Sequence, residues 1–415
     1  MQVSQFTENP IVLRLLEELR QEGIYQKQFS DVLDDQGNQY VDLVQEGGGM
    51  LGIALTGYVY ILEQVGIRFM GLAGTSAGAI NTILMASLGK IQEAKSHKVL
   101  HYLANKNFFE FVDGDEDVIN FIKLSVSKPK EVGFFWKFKY AWFAYQIADT
   151  IREHIGMNPG INFLTWLIEI LEENGIKTLK DLKKLRAQLP DSLHIRDGVE
   201  NTIDGLEARL VMIAADITTQ TKIEFPRMAC LYWDNPDEVN PAYFARASMS
   251  VPVFFYPLRL NNLPRNEEAK QRWSELAGYR GEIPQEVVLV DGGIVSNFPI
   301  NVFHKTNAVP RLPTFGVKLG IDRTESTTIK GIRSLFGASF DTARHIHDFD
   351  FIFRNPEYRQ LVAHIDTGEH HWLNFAMSDY AKVDLFVRGA KAAADFLKRF
   401  DWQKYKEYRR QLKVT

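Results

Sequence analysis

Two glycine-rich turns divide the first part of the chain into alternating strand and helix patterns. An apolar strand pattern at 40–45 leads into GGGMLG at 47–52, and a helical pattern follows. A second apolar strand pattern at 67–73 leads into GTSAG at 74–78 and another helical pattern. This strand–helix–strand–helix order predicts an α/β fold, in which parallel strands form a sheet that helices cover.

The composition restricts the classes of partner and the compartment. The 415 residues are 45% hydrophobic and 24% charged, as in an ordinary globular protein. Because 48 basic residues stand against 52 acidic ones, the net charge of −4 argues against nucleic acid as the main partner. Cys230 is the single cysteine, so the chain can form neither an intrachain disulfide nor a thiolate metal cage. A reducing compartment fits this cysteine content best.

Neither the amino terminus nor the longest uncharged stretch predicts a membrane span. Residues 1–10 lack the basic region and apolar core of a signal peptide. The uncharged stretch at 69–89 is long enough to span a bilayer, but its glycine, serine, threonine and asparagine residues fit a loop–strand–turn–helix better. We therefore expect a cytoplasmic protein that contacts membranes at most peripherally.

The patterns divide the chain into three parts. Residues 1–39 form a helical segment, and 40–320 form the α/β domain, which a helical and aromatic-rich insertion interrupts at about 90–204. Residues 321–415 are mainly helical in pattern, and we expect them to pack on the core. Beyond the insertion, apolar strand patterns return at 206–216, 221–225, 286–293 and 314–320.

The Gly-x-Ser-x-Gly pattern places Ser76 between a strand pattern and a helical pattern. A serine hydroxyl becomes an effective nucleophile only when it is held exposed beside a base. Gly74 and Gly78 let the strand turn sharply into the helix, whose amino terminus adds positive potential and free N–H groups. Because this short pattern also arises by chance, a tight structural turn is the alternative to a nucleophile.

The earlier turn, at 47–52, fits neither of two common nucleotide-binding patterns. A dinucleotide site needs an acidic residue about 20 positions later, at the end of the next strand. That strand ends in GTSAG instead. A phosphate-binding P-loop needs Gly-Lys-Ser/Thr, and this triplet is absent from the turn.

An oxyanion hole fits the earlier turn better. The N–H groups of Gly47, Gly48 and Gly49 are unshielded by side chains, and such donors stabilise the oxyanion of ester hydrolysis. Gly52 supports the turn into the following helix. The 29 positions from Gly47 to Ser76 leave room for one helix and one strand. Adjacent parallel strands then bring both turns to the carboxyl edge of the sheet, where α/β proteins place their sites.

Asp291 is the candidate base, because it ends the apolar strand pattern at 287–290 and is followed by Gly292 and Gly293. Glycines behind a carboxylate permit close approach to another backbone. Desolvation raises the pKa of a carboxyl group and so makes the carboxylate a stronger base. A structural turn or cap is the alternative role for this aspartate.

A Ser-His-Asp triad is a rival to a two-residue Ser76–Asp291 dyad. The order serine, aspartate, histidine is the one used by α/β-hydrolases. Three histidines follow Asp291 and are the candidates for the third member: His304, His345 and His347. The separation between oxyanion loop and nucleophile favours the dyad, since α/β-hydrolases usually place more of the sheet between them.

Together these motifs resemble the patatin-like phospholipase family. The resemblance covers about 40–90 and 206–320, and it rests on five segments in the family's order: EGGGMLG (46–52), GTSAG (74–78), ADITTQ (215–220), ARASMSVPVFFYP (245–257) and DGGIVSNFP (291–299). In the last segment the family often has asparagine and proline where this chain has Asn297 and Pro299.

The resemblance implies a fold and a chemistry. The fold would be a three-layer α/β/α sandwich with a mainly parallel central sheet. Ser76 and Asp291 would form a Ser-Asp dyad, with Gly48 and Gly49 as oxyanion donors. The reaction would be hydrolysis of acyl esters in phospholipids or other lipids through an acyl-serine intermediate. It would need no metal or other cofactor, and the resemblance leaves the oligomeric state open.

One position departs from the family pattern. The family commonly has arginine or lysine where this chain has Leu51, so a contact from that cation to substrate or to the loop is missing. This departure and the large insertion support a second hypothesis, a catalytically weak lipid-binding or regulatory protein on the same fold. The intact Ser76 and Asp291 argue against it.

The segment 134–145, FFWKFKYAWFAY, holds eight aromatic residues in twelve positions together with two lysines. Tryptophan and tyrosine favour the membrane–water interface, and lysine side chains extend to its polar side. The segment is therefore a candidate lid or peripheral membrane anchor, and a helix buried under the insertion is the alternative.

Overall fold

The computed structural model describes residues 1–126, 151–199, 202–305, 308–320 and 350–412, with single positions 326, 328, 329, 338 and 342. Helices α1 to α12 span Ser4–Thr7, Pro10–Gln21, Gly52–Gln64, Ala77–Ser87, Ser96–Asn105, Glu116–Val126, Ile161–Glu173, Leu179–Arg186, Ala242–Ser248, Glu267–Ala277, Asp379–Arg399 and Trp402–Leu412. Strands β1 to β12 span Val32–Leu33, Gln39–Gln45, Ile67–Thr75, Gly156–Asn158, His194–Ile195, Leu210–Asp216, Thr221–Phe225, Val253–Phe255, Leu258–Asn261, Glu286–Asp291, Thr314–Leu319 and Val362–Ile365.

A mixed, mainly parallel sheet organises the fold, as the sequence predicts. Its strands follow the order β12-β11-β2-β3-β6-β10-β9. The first five strands in this order run parallel to one another, whereas β10 is antiparallel to both β6 and β9. Three short strands lie off this path: β1 and β7 pair antiparallel with β2 and β6, and β5 pairs with β1. Because β2 and β3 are adjacent and parallel, both glycine turns leave the sheet at the same edge.

The two strands that carry the glycine turns are buried along nearly their whole length. Strand β2 reads QYVDLVQ and β3 reads IRFMGLAGT, and each has a single position that is not fully buried. Near-continuous apolar strands of this kind are typical of parallel sheets with both faces covered. The helices that follow them, α3 and α4, are likewise buried at almost every position.

The carboxyl-terminal part joins the core through a strand and a long helix. Strand β12 extends the sheet beyond β11, and helix α11 packs along α3. The last helix, α12, is anchored by Lys406, whose ammonium group lies 2.7 Å from a carboxylate oxygen of the buried Asp31. Trp402 donates a second hydrogen bond to the same carboxylate.

Two glycines allow α3 and α11 to approach closely. A Cβ atom added at Gly389 would overlap the carbonyl oxygen of Ala54, and one added at Gly57 would overlap that of Phe386. The contact is therefore made backbone to backbone, without side chains between the helices.

Replacing Gly389 with alanine is expected to lower the free energy of unfolding by about 1–3 kcal/mol, because the new methyl group overpacks this contact. Urea denaturation measures the loss. The exposed Lys391 on the same helix provides the control, since Lys391→Ala leaves the helix contact intact. Equal stability of Gly389→Ala and Lys391→Ala would contradict this account of the packing.

The segment between β9 and β10 contains an element that the sequence patterns missed. The polar stretch 261–284, for which the sequence patterns predict neither a helix nor a strand, contains helix α10. Asn266 caps this helix by accepting a hydrogen bond from the Ala269 amide, and Trp273 on its inner face is 1% exposed. One buried tryptophan and one cap therefore stabilise a helix in a stretch of otherwise polar composition.

Described parts of the insertion are mainly helical, as the sequence predicts, and β4 pairs with β8 next to it. The aromatic segment 134–145 lies outside the described residues. In the part of the chain that the structure describes, helices are either too short or too polar to cross a bilayer.

Candidate active site

Ser76 lies at the turn from β3 into α4, in a backbone conformation that residues other than glycine rarely adopt. Its φ is 52° and its ψ is −118°, so the backbone is strained at Ser76. The flanking glycines make the turn sterically feasible. A Cβ atom at Gly74 would overlap the backbone of Gly78, and one at Gly78 would overlap the carbonyl of Gln45.

Ser248 holds the strained turn in place. The Ser76 amide donates a 2.9 Å hydrogen bond to the Ser248 hydroxyl, which in turn donates a 2.5 Å bond to the carbonyl oxygen of Ile213 in β6. Ser248 is completely buried, so water cannot replace this relay. These two hydrogen bonds hold the backbone of Ser76 against strand β6. The conformation of the turn then determines the direction of the Ser76 side chain.

The strand register brings Ser76 and Asp291 to the same level of the sheet. Strands β3 and β10 pair with the same edge of β6, because β7 pairs along the opposite edge over residues 212–216. Thr75 is paired to Ile213 and Asp291 to the next residue, Ala214, so the carboxyl ends of β3 and β10 meet on that edge. Ser76 and Asp291 are therefore neighbours where the two strands end, and their side chains can approach each other without a strand between them.

Asp291 is 6% exposed and is oriented by backbone groups. Its Oδ1 atom accepts a 2.6 Å hydrogen bond from the Gly293 amide, and its own amide donates to the carbonyl of Ser250 at 2.9 Å. A Cβ atom at Gly292 would overlap the carbonyl of Ile213, so the residue after the aspartate must be small.

Asn297 connects the first glycine turn to the aspartate turn. Its side-chain amide donates to the carbonyl of Gly47 at 3.1 Å, and its own carbonyl accepts from the Gly47 amide at 3.0 Å. A Cβ atom at Gly47 would lie 2.5 Å from Asn297 Oδ1 and 3.1 Å from Ser76 Cβ, and one at Gly293 would lie 2.9 Å from Asn297 Oδ1. The structure thus brings the two glycine turns and the aspartate turn into contact around Asn297.

This geometry narrows the set of oxyanion donors expected from the sequence. The Gly47 amide is already bonded to Asn297, whereas the amides of Gly48 and Gly49 have no protein acceptor among the described residues. Gly49 has a φ of +54° and lies against the carbonyl of Trp372, which accepts a 2.8 Å hydrogen bond from the Met50 amide. The carboxyl-terminal part therefore holds the far side of this turn.

An apolar pocket opens on Ser76 and the glycine turn. It contains about 700 Å³ of empty space, part of which is open to solvent. Its wall combines side chains from the insertion, from the region of β8 and from the carboxyl-terminal part, and eight of them are aromatic: Phe108, Phe111, Phe163, Trp166, Phe254, Phe255, Trp372 and Phe375. Such a wall suits an apolar chain rather than a polar small molecule.

Comparison with known proteins agrees with these features. The family model described as patatin-like phospholipase matches residues 43–304, which contain both glycine turns and the aspartate turn. The chain belongs to the patatin-like phospholipase family. The match also extends across the insertion.

Individual relatives of this patatin-like chain are distant. An uncharacterized protein of Bacillus subtilis (strain 168), YqhO, is 28% identical over 369 residues, which are 88% of this chain and 100% of the relative. Among solved structures, VipD from Legionella pneumophila is similar with a TM-score of 0.43 and 15% identity over 90% of this chain and 70% of VipD. A structure of the ExoU–SpcU complex of Pseudomonas aeruginosa is also similar, with a TM-score of 0.34 and 17% identity. The similarity covers 87% of this chain and 52% of the matched chain.

No histidine lines the pocket around Ser76 in the part of the patatin-like chain that is described. His304 lies elsewhere, with its Nδ1 atom 2.8 Å from the Tyr358 hydroxyl, and burial lowers the pKa of its imidazole. His345 and His347 lie outside the described residues. Within the described ranges, moreover, no three histidine, cysteine or acidic side chains cluster as metal ligands do.

Leu51, the position that departs from the family pattern, is 7% exposed and packs in the hydrophobic core. An apolar side chain suits this environment. A cation is nevertheless present near the turn, because the Lys318 ammonium group lies 4.0 Å from a carboxylate oxygen of Glu46.

Proposed function

We propose that this protein is a serine hydrolase that cleaves acyl esters of lipids, of the phospholipase A or lysophospholipase type. The observation that carries the proposal is the aromatic-lined pocket, because it opens directly on Ser76 and Gly49. The amides of Gly49 and of the preceding Gly48 have no protein acceptor among the described residues. Membership of the patatin-like phospholipase family supports the same chemistry.

In the proposed reaction, Asp291 accepts the proton of the Ser76 hydroxyl as the oxygen attacks the ester carbonyl carbon. The amides of Gly48 and Gly49 stabilise the negative charge that develops on the carbonyl oxygen. When the tetrahedral intermediate collapses, the ester bond breaks, and Asp291 returns the proton to the leaving alcohol. Water then attacks the acyl-serine with Asp291 again as base, which releases the fatty acid and restores the serine.

The pocket is expected to select acyl chains by length. Burial of each methylene group contributes about 0.8 kcal/mol. We therefore expect kcat/KM on a series of p-nitrophenyl esters to rise by up to about fourfold per methylene until the pocket is full. A flat series from acetate to decanoate would show that the pocket does not hold the acyl chain.

Ser248→Ala is expected to impair catalysis although Ser248 does not contact the pocket. The variant leaves the buried Ser76 amide without its acceptor, which costs about 1–3 kcal/mol and lets the strained turn relax. We expect kcat to fall at least tenfold at a temperature where the variant is folded. The matched control is Ser87→Ala, which also removes a buried hydroxyl, bonded to the Ile83 carbonyl at 2.7 Å, and is expected to leave kcat unchanged.

Release of fatty acid from mixed phospholipid vesicles tests the proposed function. We expect the wild type to release fatty acid and Ser76→Ala to release none while remaining folded. Analysis of the remaining lysophospholipids then identifies the head group and the acyl position. Vesicle binding by both proteins without any release would favour the lipid-binding hypothesis instead.

A further inference from the structure

A second cavity lies away from Ser76, near the amino ends of β6 and β11. It contains about 960 Å³ of empty space, part of it open to solvent, and its wall is mainly polar. Its wall includes Arg209, just before β6, and Thr314, the first residue of β11, whereas Ser76 follows the carboxyl end of β3. The hydrolase mechanism proposed above uses none of its residues.

Asp42 lies in the wall of this cavity, in the middle of strand β2. A carboxylate is unusual in a buried parallel strand, where apolar residues predominate. The pairing of β2 with β3 shifts register between Val41 and Leu43, so Asp42 lies at a bulge. Such bulges commonly redirect one side chain next to a site.

Gly71 in the neighbouring strand β3 binds this carboxylate and leaves space for it. The Gly71 amide donates a 2.8 Å hydrogen bond to Asp42 Oδ1, and a Cβ atom at Gly71 would overlap the same oxygen. Burial raises the pKa of the Asp42 carboxyl to about 7. One oxygen of this group is thus fixed by the backbone, and the group lines the cavity.

Two cations at the rim form no ion pair in the described part of the chain, although both attract the Asp42 carboxylate over a longer distance. Arg209 and Lys305 are exposed and line the cavity, and no carboxylate lies within ion-pair distance of either among the described residues. The Arg209 guanidinium lies 5.5 Å from the centre of the Phe303 ring. Two other arginines of the wall already have partners within the protein. Arg409 forms a 3.0 Å ion pair with Glu357, and Arg311 donates a 2.9 Å hydrogen bond to the backbone carbonyl of Asp204.

We propose that this cavity binds a small phosphate monoester of a polyol, with Arg209 and Lys305 on the phosphate and Asp42 accepting a hydroxyl group. A bare anion fits the cavity less well, because the Asp42 carboxylate in its wall repels a second negative charge. A ligand with phosphate at one end and hydroxyl groups at the other matches this separation of charge.

Calorimetric titration of the full chain with sn-glycerol 3-phosphate, inorganic phosphate and glycerol tests the proposal. We expect glycerol 3-phosphate to bind, inorganic phosphate to bind more weakly and glycerol not to bind. Arg209→Gln and Lys305→Gln are each expected to weaken glycerol 3-phosphate about tenfold, since each removes a charge-assisted contact. Asp42→Asn is expected to change the preference for glycerol 3-phosphate over inorganic phosphate.

The control variant is Arg272→Gln, which removes a half-buried arginine of helix α10 outside the cavity and is expected to leave binding unchanged. Absence of binding by every probe would overturn the proposal, as would binding that Arg209→Gln and Lys305→Gln leave intact. Sedimentation with vesicles that contain phosphatidic acid decides whether the monoester is a free metabolite or a lipid head group. Because Ser76→Ala is expected to bind like the wild type, this result is independent of the proposed hydrolase.

Discussion

Replacing Asp291 with asparagine is expected to lower kcat for ester hydrolysis by about 10²–10⁴-fold, the contribution typical of a general base. Asparagine has the shape of aspartate and keeps an oxygen that can accept from the Gly293 amide, so the turn should survive. The variant loses only the ability to take the proton from Ser76. Steady-state rates on a soluble ester, together with circular dichroism, separate loss of catalysis from loss of folding.

Asp216→Asn is the matched control for this experiment. Asp216 also ends a strand, is 1% exposed and accepts hydrogen bonds from the amides of Thr218 and Thr219. Its replacement is expected to lower stability without lowering kcat. If Asp291→Asn kept its kcat within a few-fold of the wild type while a histidine variant lost activity, the dyad would be wrong and the Ser-His-Asp triad would be favoured.

Gly49→Ala is expected to lower kcat by about 10²–10³-fold, as removal of one oxyanion donor does in other hydrolases. Alanine is strained at a φ of +54°, and its methyl group would overlap the carbonyl of Trp372, so the backbone must move away. That movement turns the Gly49 amide away from the pocket that Gly49 and Ser76 both line. KM should change less than kcat, because the donor acts on the oxyanion and not on the bound ester.

Gly37→Ala separates backbone strain from loss of the oxyanion donor. Gly37 has a φ of +81°, but a Cβ atom there would meet nothing within 4 Å. Both alanine variants are therefore expected to lose about 1–2 kcal/mol of stability from the left-handed backbone. Only Gly49→Ala should lose activity. Equal kcat for the two variants would mean that the Gly49 amide is not a donor.

The sequence was sufficient for the elements around the site, because local patterns determine them. The strand predicted at 221–225 is observed with the same bounds, and the helix after GTSAG ends at Ser87. The two glycine turns fall at one sheet edge as expected, since adjacent parallel strands with a short helical connection permit little else.

Features that depend on contacts distant in sequence could not be predicted. Nothing local shows that Asn297 occupies the Gly47 amide, which leaves Gly48 and Gly49 as the proposed donors. The roles of Ser248 and of the loop at Trp372 arise from packing across more than 170 positions. The antiparallel direction of β10, which brings Asp291 level with Ser76, is likewise a property of the whole sheet and not of the DGG motif.

The account depends most directly on Ser76 being an activated nucleophile, and covalent labelling with a fluorophosphonate measures this without a choice of lipid. We expect one adduct per chain, located by peptide mass spectrometry on Ser76, with labelling much slower in Asp291→Asn and absent in Ser76→Ala. Absence of labelling in the wild type, or labelling of another residue with Ser76 unmodified, would contradict the central claim.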